Sequence, residues 1–98
     1  MNKSLKDATV VANILQDLKN ANEKAKFLRD IMTAEELSSL CRRWQAAIML
    51  NDDYNYLDIT KKTKLSSTTV ARVQKWLTGA LGGYRLAIHH HLNSKRRD

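Results

Sequence analysis

Residues 56–77 read YLDITKKTKLSSTTVARVQKWL, and their pattern decides the fold. Asn55 just ahead is a good cap for a short helix holding Tyr56, Leu57 and Ile59, with Tyr56 as its first buried anchor. Thr63-Lys64-Leu65 reads as a turn. Ser66 then caps a second helix whose apolar positions are Val70, Val73, Trp76 and Leu77, at helical spacing. Two short helices about three residues apart, with an apolar residue inside the turn, form the pattern of a helix-turn-helix over about 55–77. The second helix opens Ser66-Ser67-Thr68-Thr69, small and hydrogen-bonding, which suits close approach to base edges and phosphates.

Upstream, Thr33-Ala34-Glu35-Glu36 is a capping box: Thr33 accepts from the Glu36 N–H while Glu36 reaches back to the Thr33 N–H. Leu37, Leu40, Cys41, Trp44, Ala47 and Ile48 follow at helical spacing, predicting a helix to about Leu50. Val11, Ile14, Leu15 and Leu18 predict an earlier helix over about 5–19. Ala25, Phe27, Leu28 and Ile31 mark a shorter one between them. Downstream, Gly79 or Gly82-Gly83 stops the motif's second helix by supplying left-handed backbone. Tyr84, Leu86, Ala87, Ile88 and Leu92 predict a last helix. The reading is all-α, about six helices, in one domain over residues 1–93, with a basic tail at 94–98.

The charge has a direction. The 98-residue chain has a formal net charge of +7. Residues 1–53 hold as many acids as Lys and Arg. Residues 54–98 hold nine Lys and Arg against Asp58 and Asp98, so the whole excess lies in the second half. A neutral half joined to a basic half suggests that one part assembles and the other meets a polyanion. Proline is absent and glycine appears three times, which excludes linkers, collagen-like chains and turn-rich β-sandwiches. The single cysteine, Cys41, excludes a disulfide scaffold and fits a reducing, cytoplasmic setting. No apolar run nears the roughly 20 residues that span a bilayer, and no basic amphipathic helix with a broad apolar face points to a membrane surface.

Other chemistry is weakly supported. His89-His90-His91 cannot converge on one ion, because neighbouring helical residues point about 100° apart. Cys41 has no base placed for nucleophilic chemistry, and Glu35 and Glu36 read as cap residues. No phosphate loop, metalloprotease helix or nucleophile elbow is present. No enzyme activity, metal or cofactor is expected. Trp44 and Trp76 sit at core periodicity, as core or dimer contacts.

From Phe27 to about Arg85 the chain resembles the Trp repressor superfamily, and most closely its small YerC/YecD-type members. The resemblance rests on FLRDIMTAEEL (27–37), Arg42-Arg43-Trp44-Gln45, the helix-turn-helix at 56–77, and GALGGYR (79–85). It implies an intertwined homodimer whose N-terminal helices interlock and whose two helix-turn-helix units read successive major grooves. In that family an arginine of the third helix and one of the recognition helix form part of a corepressor pocket, and these align with Arg43 and Arg72. The tryptophan-binding members have glycine after the second arginine, leaving room for an indole. Val73 stands there, so the pocket reads as vestigial and no tryptophan response is expected. Lys64 stands where many such turns have glycine, and either widens the turn or places its ammonium near phosphate. Thr60 occupies a position that is often alanine.

These residues point to a homodimeric, sequence-specific DNA-binding regulator, a repressor by family. Lys61, Lys62, Lys64, Ser66, Ser67, Thr68, Thr69, Ala71, Arg72 and Lys75 are the candidates for contact with double-stranded DNA. The alternatives are an adaptor that turns a helix-turn-helix-like surface to an acidic protein, and a replication-related DNA-binding protein.

Overall fold

The computed structural model describes residues 2–96, which form six helices and no strand. They are α1 (Lys3–Asp17), α2 (Ala21–Ile31), α3 (Ala34–Asn51), α4 (Tyr56–Thr63), α5 (Ser67–Leu77) and α6 (Gly83–Arg96). Contacts divide the chain into two compact units, Met1–Leu37 and Ser38–Asp98, with the boundary inside α3.

Side-chain caps start the helices of the first unit. Asn2 accepts from the Leu5 N–H at 2.8 Å, which places the start of α1 at Lys3. α1 ends at Asp17, where Leu18 turns to extended backbone, so the helix lies two residues earlier than the 5–19 spacing suggested. Asn20 accepts from the Glu23 N–H, and Glu23 accepts from the Lys19 N–H, both at 2.9 Å. These two bonds, one to the cap residue and one from the residue before it, start α2 at Ala21. The capping box before α3 forms as read: Thr33 N–H donates to Glu36 Oε1 at 2.9 Å, and Glu36 N–H to Thr33 Oγ1 at 3.0 Å. No residue of α1 or α2 is buried.

The second unit holds the core. Ala46, Ala47, Met49 and Leu50 of α3 meet Ile59 of α4, Val70, Val73 and Leu77 of α5, and Ile88 of α6. Trp44, Ile48, Leu65 and Tyr84 pack partly buried against them. α5 packs on both α4 and α6. Ile59, Val70 and Val73 are fully buried, so the motif's two helices are joined by β-branched side chains in close contact.

Three expectations need correction. Tyr56 is 40% exposed; it occupies the first turn of α4, ahead of the Ile59–Thr63 stripe, and Ile59 is the buried anchor. Of the two readings for Trp76, the core one fails, because it is 47% exposed, and the dimer contact stands as before; Trp44 is half-buried against the core. The last helix does not stop near residue 93 but runs to Arg96, and residues 97 and 98 lie outside those described.

Candidate nucleic-acid interface

The turn between α4 and α5 is tight. Lys64 caps α4 in left-handed backbone, φ 64° and ψ 16°, and its N–H returns to the Thr60 carbonyl at 2.9 Å. The turn is therefore not widened; lysine takes the conformation that glycine takes at no steric cost, at a penalty on the order of 1 kcal/mol. The buried Thr63 hydroxyl donates to the Ile59 carbonyl at 2.7 Å and accepts from the Leu65 N–H at 3.2 Å. Thr60 tolerates its packed position by donating its hydroxyl to the Leu57 carbonyl at 2.9 Å.

The Ser66 hydroxyl caps α5. It accepts from the Thr69 N–H at 3.1 Å and lies 3.0 Å from the Thr69 hydroxyl. Both side chains are thus engaged within the helix start, and Thr69 is half-buried. Ser67, Thr68, Ala71, Arg72 and Lys75 are exposed. Thr68, Arg72 and Lys75 follow at i, i+4 and i+7 on one face, with Ala71 beside them. The opposite face carries Val70, Val73 and Leu77 into the core. Burial of one side thereby aims the other outward, and the small residues stand at its N-terminal end.

Lys61, Lys62 and Lys64 are exposed around the end of α4. Among the described residues the ion pair present is Lys3–Asp7, and no cation of the helix-turn-helix is paired with a carboxylate. Their charge is free to meet an external anion, undiminished by an internal partner.

The three residues of the inferred vestigial pocket occupy different settings. Val73 is fully buried in the core, Arg72 is exposed, and Arg43 is half-buried. The Nε atoms of Arg42 and Arg43 are buried and make no hydrogen bond. Burial pushes the Tyr84 phenol upward, and the Arg43 charge pulls it the other way. A cavity of about 510 Å³ lies nearby, lined chiefly by Trp44, Trp76, Leu81, Tyr84 and Ala87. None of Arg43, Arg72 and Val73 lines it. The sequence did not signal this cavity, because its lining joins the Gly79–Gly83 connection to two tryptophans 32 positions apart.

The histidine run diverges as helical geometry requires. His91 packs edge-on against Trp44, ring centres 5.8 Å apart, while His89 lies 3.1 Å from the Asn93 amide. Among the described residues, no three of His, Cys, Asp and Glu are grouped to hold one ion, and no helix is long and apolar enough to cross a membrane.

The model of the family described as Trp repressor protein matches residues 6–92. The chain belongs to the Trp repressor family. The match extends upstream of Phe27 to take in α1 and α2, which the sequence motifs alone did not reach. Among solved structures, the crystal structure of a TrpR like protein from Eubacterium eligens ATCC 27750 is similar, with a TM-score of 0.80 and 31% identity. That similarity covers 91% of this chain and 94% of the other. No curated protein matches the chain. Membership of the Trp repressor family makes this the fold of a helix-turn-helix DNA-binding regulator.

Proposed function

We propose that this protein is a homodimeric, sequence-specific DNA-binding transcriptional repressor that lays α5 in the major groove. The observation that carries the reading is the outward stripe of α5, small at its N-terminal end and flanked by unpaired lysines. In this reading Lys61, Lys62 and Lys64, with Ser66 at the helix start, hold phosphates and set the register. Ser67, Thr68 and Ala71 face base edges; Arg72 and Lys75 reach the backbone farther along. Thr69 supports Ser66 rather than reading bases.

Dimerisation is supported by what the chain leaves open. No residue of α1 or α2 is fully buried, and Val10 and Ile31 are more than half exposed. Trp76, Leu81 and Leu86 add exposed apolar surface in the second unit. A monomer rarely leaves so many large apolar side chains in water, and a second copy would cover them. Two α5 helices roughly 34 Å apart would select a pseudo-palindrome.

Selection from random duplex oligonucleotides tests the reading, with light scattering on the same sample. The expected outcome is a two-fold symmetric consensus, a dimer mass, and a log–log salt slope near −6 if each protomer neutralises about three or four phosphates. No enriched sequence, together with capture of acidic proteins, would establish the adaptor reading instead.

A further inference from the structure

The C-terminal end of α5 is held from outside the helix. The last four carbonyls of a helix have no intrahelical partner. In α5 three of them are met locally: Thr78 N–H returns to Gln74 O, Gly79 N–H to Trp76 O, and the Thr78 hydroxyl to Gln74 O and Lys75 O. The fourth, Leu77 O, accepts from Arg85 Nη1 at 2.7 Å, eight residues on, in the first turn of α6. The bond is partly buried and charge-assisted, and it sets a cation against the negative end of the α5 dipole.

The connection is shaped around that guanidinium. Gly82 is left-handed at φ 72°, and a Cβ there would lie 2.9 Å from Arg85 Nη2. Gly82 O in turn accepts the Leu86 N–H at 2.9 Å at the start of α6. α6 is itself anchored in the core through Ile88.

We propose that Arg85 is a positioning residue: it clamps the end of α5 to α6, fixes the angle at which the outward stripe is presented, and so sets sequence discrimination without touching DNA. The proposal rests on the DNA-binding reading above. It separates Arg85 from the described cations of the helix-turn-helix, none of which is paired with a carboxylate. α5 is packed through Val70, Val73 and Leu77 and held at its end by Arg85, which resists rocking, so Thr68 and Ala71 meet the same base pair each time.

Arg85→Met and Arg85→Lys, tested on the sequence that the wild type selects and on its single-mismatch variants, decide this. The wild type should discriminate against a mismatch roughly tenfold or more. Arg85→Met should lower that to about threefold with the salt slope unchanged, since no phosphate contact is lost. Amide exchange at Thr78 and Gly79 should quicken in Arg85→Met, measured well below its melting temperature. Arg85→Lys, which keeps a donor and a charge, should recover most of both. A salt slope reduced by about 2 per dimer with discrimination retained would make Arg85 a phosphate contact and overturn the clamp. Unchanged discrimination in Arg85→Met would overturn it too. A wild type that selects no duplex would instead overturn the DNA-binding reading itself.

Discussion

Thr63 and Leu65 are tied across the lysine between them: the Thr63 hydroxyl accepts the Leu65 N–H at 3.2 Å while donating to the Ile59 carbonyl at 2.7 Å. Thr63 is 3% exposed, so its bond to Ile59 is buried, and the one from Leu65 is partly buried. Thr63→Val keeps the shape but leaves the Leu65 N–H without its acceptor, which costs about 1–3 kcal/mol. Urea unfolding of the two proteins at equal m-value measures it. A loss below about 0.5 kcal/mol, the size of an ordinary surface change, would show that the bond does not hold the turn.

In the proposed DNA-binding reading the strain at Lys64 is offset by a phosphate contact, and stability and DNA affinity should therefore move in opposite directions. Lys64→Gly relieves the left-handed backbone at φ 64°. The gain is up to about 1 kcal/mol, reduced by the greater freedom of glycine in the unfolded chain. The same change should weaken binding and lower the salt slope by about 2 per dimer, one phosphate contact per protomer. Thermal unfolding and a salt titration on one protein preparation check both signs. A more stable protein with unaltered affinity would remove Lys64 from the interface.

The capping box before α3 makes stability depend on pH in a set direction. The Thr33 backbone N–H, with its side chain second, holds the Glu36 carboxyl below its ordinary value. A folded-state pKa below the unfolded one gives stability that is present above the ordinary carboxylate range and lost as pH falls through the folded value. Glu36→Gln should flatten that part of the pH–stability curve, because it removes the titrating carboxyl, whereas Thr33→Ala would leave the backbone N–H, the larger cause, in place. Melting curves from pH 7 down to pH 3 for the wild type and Glu36→Gln check the difference in slope. Parallel curves would show that the box contributes no linkage.

Val73 fills the space beside Arg72 with a fully buried side chain. Millimolar tryptophan should therefore leave the melting temperature and the DNA affinity unchanged. Val73→Ala should cost about 2 kcal/mol, because two buried methylene equivalents are lost and a cavity is left. A melting temperature that rises with tryptophan in the wild type would establish a working corepressor site despite the valine.

Much of the motif was legible because its signals are local. Asn55, Ser66 and Thr33 cap the helices they precede, and a cap needs only the three residues that follow. The inward face of α5 followed from helical period alone: Val70, Val73 and Leu77 are buried as their spacing required. Period could not place Trp76 or Tyr56. An apolar residue at the edge of a stripe is buried only if a neighbouring element reaches it, and in this chain none covers them fully. The candidate site was legible as a set of residue types. Its division was not: Ser66 and Thr69 are engaged with each other, whereas Ser67 and Thr68 stand free, a distinction made by hydrogen-bond geometry.

By itself the sequence determined an all-α chain, its helix starts, a helix-turn-helix and a basic half, because caps, periodicity and formal charge act over a few residues. Only the tertiary structure decided that Lys64 is left-handed rather than part of a widened turn, and that Arg85 reaches back to Leu77. It also decided that a cavity opens between Trp44 and Trp76. The physical reason is the same in each case. A backbone strain, a hydrogen bond eight residues long and a gap between helices exist only once packing has brought separate elements to fixed distances. No local pattern encodes those distances.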